Sequence, residues 1–91
     1  METFFTFLEK RVADCSSLLC IGLDPHPADL VAPTAEAALA YCRQIVHQTA
    51  RYAAAFKPNA AFFEAFGPAG WQALADLVNV IRAESQRLGS L

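Results

Sequence analysis

The sequence has 91 residues, enough for one small domain, and a chain this short buries only about 60–65% of its unfolded surface. Hydrophobic residues make up 55% and charged residues 18%, with a net charge of −2, which argues against nucleic acid or an anionic membrane as the main partner. No apolar run approaches the ~20 residues that span a bilayer, and acidic Glu2 ahead of Phe4, Phe5 and Phe7 does not read as a secretory signal.

Residues 2–14 read as a helix, with Phe4, Phe5, Leu8 and Val12 at helical spacing and Glu9, Lys10 and Asp14 off that stripe. Ser16-Ser17 then turn the chain into a first strand over residues 18–23. This strand runs Leu-Leu-Cys-Ile-Gly-Leu and stops at Asp24-Pro25. The run shows no alternation, the habit of a parallel strand buried on both faces. Pro25 forces Asp24 out of helical geometry and fixes the strand end.

The stretch from Pro25 to Pro33 is irregular, and Thr34 is placed to cap a helix running to about Tyr52. Its expected buried stripe is Ala38, Cys42, Ile45 and Thr49, widened by Tyr41, Val46 and Ala53. Arg43, Gln44, His47, Gln48 and Arg51 fall on the other face, where His47 is expected to be solvated. A second apolar run, residues 54–57, ends in Lys57 and is cut by Pro58. Asn59 or Pro58 starts a short helical turn through Phe66, closed by Gly67. Pro68 suits the first turn of a last helix reaching about Arg87, with Trp71, Leu74, Val78, Ile81 and Leu88 in line and Gly89 as its C-cap.

The order is two consecutive β/α units behind an opening helix, with strand starts separated as right-handed parallel crossovers require. Two parallel strands alone leave both sheet edges unpaired, and the last cap should hand over to a third strand. The expectation is an α/β fold, residues 1–91 forming the amino-terminal quarter to third of a larger (β/α) protein. Asp24 and Lys57 should then stand together at the carboxyl ends of neighbouring strands, where ligands bind in such folds.

Each candidate residue has a plainer reading. Asp24 before Pro25 is also a good turn former, and Lys57 could be a lysine whose stem covers apolar surface at a strand end. His26 with Asp24 makes two metal donors at most, with no third spaced to join them. Phe62, Phe63 and Phe66 read as packing rather than a base-stacking platform. Asn59 reads as a helix cap, with a minor ligand contact as its alternative. Cys15, Cys20 and Cys42 are odd in number, lack C-x-x-C spacing and read as reduced, buried thiols of a cytosolic protein.

Taken together, Phe4-Phe5-Thr6-Phe7-Leu8 with Arg11, Cys20-Ile21-Gly22-Leu23-Asp24-Pro25-His26, and Phe56-Lys57-Pro58-Asn59-Ala60-Ala61-Phe62-Phe63-Glu64 followed by Gly67-Pro68 resemble the amino-terminal part of orotidine 5′-phosphate decarboxylase, in particular a bacterial subgroup with a longer first half. The resemblance implies a (β/α)8 (TIM) barrel that converts orotidine 5′-monophosphate to uridine 5′-monophosphate and CO2 without cofactor or metal, in the cytoplasm, as a homodimer. It implies that Asp24 binds ribose hydroxyls. It also implies that Lys57 touches the ribose and is the first lysine of a catalytic Lys-Asp-Lys-Asp network. The remainder of that network belongs to an Asp-x-Lys-x-x-Asp motif, which this sequence does not contain. The parent's activity is therefore not expected of this polypeptide alone. Two alternatives stay open at this stage: a non-catalytic fragment or binding module, and a different phosphate-binding barrel enzyme that shares the first strands.

Overall fold

The computed structural model describes residues 20–88. The helix expected at 2–14, the first two residues of the first strand, Cys15 and the Gly89 cap lie outside the described residues. Within them, β1 (Cys20–Leu23) leads through a 3-10 turn (Pro27–Asp29) to α1 (Ala35–Thr49), β2 (Ala55–Pro58), a short α2 (Ala60–Glu64) and α3 (Pro68–Arg87).

The strands are parallel neighbours, with Cys20 level with Ala55, Ile21 with Phe56, Gly22 with Lys57 and Leu23 with Pro58. Pro58 has no N–H to offer and sits last in its strand, where the loss matters least. The ladder resumes one residue later, where the Asn59 N–H donates to the Leu23 carbonyl at 3.1 Å.

Each helix starts where the local chemistry satisfies its first N–H groups. Thr34 is extended (φ −128°, ψ 156°) and its hydroxyl accepts from the Ala37 N–H at 3.1 Å. The Asn59 side-chain oxygen accepts from the Ala61 N–H at 3.1 Å and opens α2. At α3, Pro68 occupies the first turn behind Gly67, whose φ of 65° with ψ of −144° belongs to glycine. The first of these helices stops at Thr49, earlier than expected. The chain turns there, and the Ala53 N–H donates back to the Thr49 carbonyl.

The core is Leu23 from β1, Ala35, Ala38, Cys42 and Val46 from α1, Phe63 from α2, and Ala73 and Leu77 from α3. Ile45, Tyr41 and Thr49 are half-buried, so the buried row of α1 runs through Val46 rather than through Ile45 and Thr49. On α3 the difference is larger. The buried residues are Gly70, Ala73, Leu77 and Glu84, while Trp71 is 50% exposed. The cause is close approach: a methyl on Gly70 would meet the Phe63 carbonyl oxygen at 1.7 Å. Only a residue without a side chain lets α3 lie this near α2, and that contact sets the rotation of the whole helix. The small residues face inward, and the bulky line Trp71-Leu74-Val78-Ile81 is turned partly aside.

The sheet also departs from expectation. Its strands were expected to be buried on both faces. Instead Leu23 is buried and Ile21, Phe56 and Pro58 are half-buried on the helix side, whereas Cys20, Gly22 and Lys57 on the other side are exposed. Among the described residues, helices cover one face of the sheet, and the second face is open. No helix among the described residues is long and apolar enough to cross a membrane.

Candidate functional site

The open face carries the charged strand ends. In a parallel ladder, residues level with one another leave the sheet on the same side, and alternate residues share a face. Gly22 is level with Lys57, so Cys20, Gly22, Ala55 and Lys57 line one surface. Asp24 continues the Gly22 side, since its Oδ2 lies 3.1 Å from the point where a Gly22 Cβ would stand. Asp24 is half-buried and Lys57 exposed, and among the described residues the two form no ion pair.

Asp24 is held from behind. Pro25 is fully buried, and the His26 N–H donates to the Asp24 carbonyl at 2.8 Å. The His26 ring then meets Phe62 edge-on, with centroids 4.5 Å apart and planes at 70°, which ties the β1 loop to α2. Phe62 and Phe63 thus act in packing, Phe63 as the largest fully buried side chain among the described residues. His26 faces an aromatic ring, and among the described residues no three His, Cys, Asp or Glu side chains are grouped to hold a metal ion.

The charge of Asp24 reaches the core. Burial, and secondly the negative charge of Asp24, push the Cys42 thiol up to about 11, so it stays protonated and is no nucleophile at neutral pH. Cys20 is free as well but exposed, which corrects the expectation of buried thiols at that position.

His47 is exposed on the polar face of α1, as expected, but it also has a partner: its Nδ1 lies 2.9 Å from Oε1 of Glu84, and so it links α1 to α3. Glu84 is buried, and its other oxygen accepts from Arg87 Nη2 at 2.9 Å and Nε at 3.2 Å. The Arg87 hydrogen bonds hold the Glu84 carboxyl below the usual range. Burial opposes this, and His47 adds to it. Glu84 was not among the residues expected to matter, although the sequence carries two signals for it: its i,i+3 spacing to Arg87 and its heptad spacing from Gly70 and Leu77. A surface depression of about 390 Å³ lined by Ala40, Arg43, Gln44, His47 and Gln48 lies on α1 and includes neither Asp24 nor Lys57.

Parallel strands joined by a crossover helix make up a β/α unit of the kind that builds (β/α) barrels, and the likeness to solved structures given below makes this unit part of a (β/α)8 barrel. The relatives of the chain are orotidine 5′-phosphate decarboxylases. It is 45% identical over 78 residues to the enzyme of Roseiflexus castenholzii, covering 82% of this chain and 29% of the relative. It is 41% identical over 78 residues to that of Haloarcula marismortui, covering 82% and 27%. Among solved structures it superposes on a Toxoplasma gondii orotidine-monophosphate-decarboxylase with a TM-score of 0.83 at 48% identity, covering 86% of this chain and 27% of that one. Leishmania donovani OMP decarboxylase follows with 0.78 at 47%, covering 91% and 30%. The chain thus spans less than a third of the length of these proteins. No family model matches it.

Proposed function

We propose that residues 1–91 form the amino-terminal part of an orotidine 5′-phosphate decarboxylase barrel, a cytoplasmic and dimeric enzyme that releases CO2 from orotidine 5′-monophosphate. In this reading Asp24 accepts hydrogen bonds from ribose hydroxyls, a task for which a carboxylate with free lone pairs is suited. Lys57 touches the same sugar and contributes the first cation of the network that meets the developing carbanion. A preformed cation stabilises that charge without reorganising in the transition state, which is where most of the rate would come from. The observation that carries the reading is the register of Gly22 with Lys57, which sets Asp24 and Lys57 on one open face, in a sequence 45% identical to a decarboxylase.

The test joins this chain to the part of the Roseiflexus castenholzii enzyme that follows its matched region. Release of CO2 by the fusion, lost on Lys57→Ala and reduced on Asp24→Ala, supports the reading. A folded fusion that is inactive, or one indifferent to Lys57→Ala, refutes it.

A further inference from the structure

We propose that Gly22 is a positioning residue for Asp24, and through it a determinant of selectivity for hydroxylated sugars. The inference rests on the reading of Asp24 as a sugar-binding carboxylate. Gly22 lies between the two charged residues, level with Lys57 and one pleat before Asp24. It is exposed, and its conformation does not require glycine, since its φ lies outside the left-handed region. What sets it apart is what a side chain would meet. Beyond its chain neighbours, the one atom within 4 Å of a Cβ at this position, among the described residues, is Asp24 Oδ2 at 3.1 Å. The carboxylate oxygen therefore rests over the space a side chain would fill, on the face that Lys57 shares. A methyl there would push Oδ2 off by a few tenths of an ångström and raise the floor on which a ligand lies. Lone-pair direction is what a carboxylate uses to choose hydroxyl groups, so the loss should fall on ligands that offer hydroxyls and spare those that do not.

The experiment is a titration of the chain fused to the remainder of the Roseiflexus castenholzii barrel, followed by amide and side-chain NMR, with uridine 5′-monophosphate and with its 2′,3′-dideoxy analogue. Wild type should prefer the hydroxylated ligand. Gly22→Ala should weaken that ligand about tenfold, leave the dideoxy analogue unchanged and shift the Asp24 carboxyl carbon signal, whereas Cys20→Ser on the same face does none of these. In an Asp24→Ala background the Gly22 substitution should add nothing, because it acts through the missing carboxylate. Equal binding of uridine 5′-monophosphate by wild type and Gly22→Ala, or additive losses in the double variant, overturns the proposal and leaves the reading of Asp24 intact. A fusion with wild-type Gly22 that binds neither ligand, or both alike, overturns that reading and the proposal with it. Collapse of the Leu23 and Phe63 signals in Gly22→Ala also counts against it, since the added methyl touches the carboxylate and not the core.

Discussion

Replacing Gly70 by alanine should be among the most damaging single-methyl changes in this protein. The added carbon would stand 1.7 Å from the Phe63 carbonyl oxygen, where ordinary contact begins at 3.4 Å, so α2 and α3 must part by about 1.7 Å. Rotation cannot relieve this, because a methyl carbon has no torsion to move it and the atom opposite is backbone. Two effects compete. Alanine is the better helix former by about 1 kcal/mol in a helix interior, and less in the first turn, where Gly70 sits. Against this, overpacking costs about 1–3 kcal/mol. Parting the helices also uncovers Phe63, whose full burial is worth about 1.5–3 kcal/mol. The balance is a loss of about 2–4 kcal/mol. Trp71, the single tryptophan, is the next residue and reports on the same contact. Folding driven by an excluded osmolyte such as trimethylamine N-oxide suits a chain with an open sheet face and a thin core, because it brings a marginal fold within range. Gly70→Ala should need markedly more osmolyte to reach the same tryptophan emission. A variant that folds at the wild-type concentration or below it would show that α2 and α3 do not pack as closely as described.

The Glu84 carboxyl is held below the ordinary glutamate value of 4.5, so its contribution to stability is full above that value and is lost as pH falls through the lower, folded value. Wild type should therefore be more stable than Glu84→Gln at pH 7, and the two should converge in acid; a urea-midpoint difference that stays constant from neutral pH down to pH 3 would contradict this. Cys42, with its thiol near 11 and no exposure, should resist iodoacetamide at pH 8 while exposed Cys20 is modified, and peptide mass mapping reads the order. The isolated chain should release no CO2 from orotidine 5′-monophosphate, because it has no Asp-x-Lys-x-x-Asp motif; turnover above a host-enzyme control would show that the missing lysine is not needed.

Where a local signal and its physical cause lie within a few residues, the sequence was legible. Thr34 and Asn59 cap the helices expected of them, Pro68 starts the last helix, and the strands end at their proline breaks. The same-end placement of Asp24 and Lys57 followed from those breaks together with the parallel crossover. What escaped was set by contacts between distant elements. The apolar weight of Trp71, Leu74, Val78 and Ile81 pointed to the centre of the buried stripe of α3, but a backbone contact with Phe63 shifted that centre to Gly70, Ala73 and Leu77 and left Leu74 and Ile81 at its edge. The role of the Glu84 carboxylate was not legible because its partner His47 lies 37 residues earlier, on a different helix. The alternation in strand burial was masked because Cys20 and Gly22, though apolar or neutral, face the open side.

The two strand ends differ in how much new sequence each could accept. After Lys57 there is no slack: Asn59 supplies the next rung of the ladder through its N–H and, through its side chain, the first bond of α2. An insertion there would cost a rung and a cap together. After Asp24 the chain is pinned at Pro25 and His26 and held through the 3-10 turn to Leu30, which packs on the core, but Val31 beyond it is 99% exposed. Longer loops add little closure entropy, about 0.6 kcal/mol per doubling. A rim of altered shape could therefore be grafted between Leu30 and Thr34 while the lysine on the neighbouring strand keeps its place.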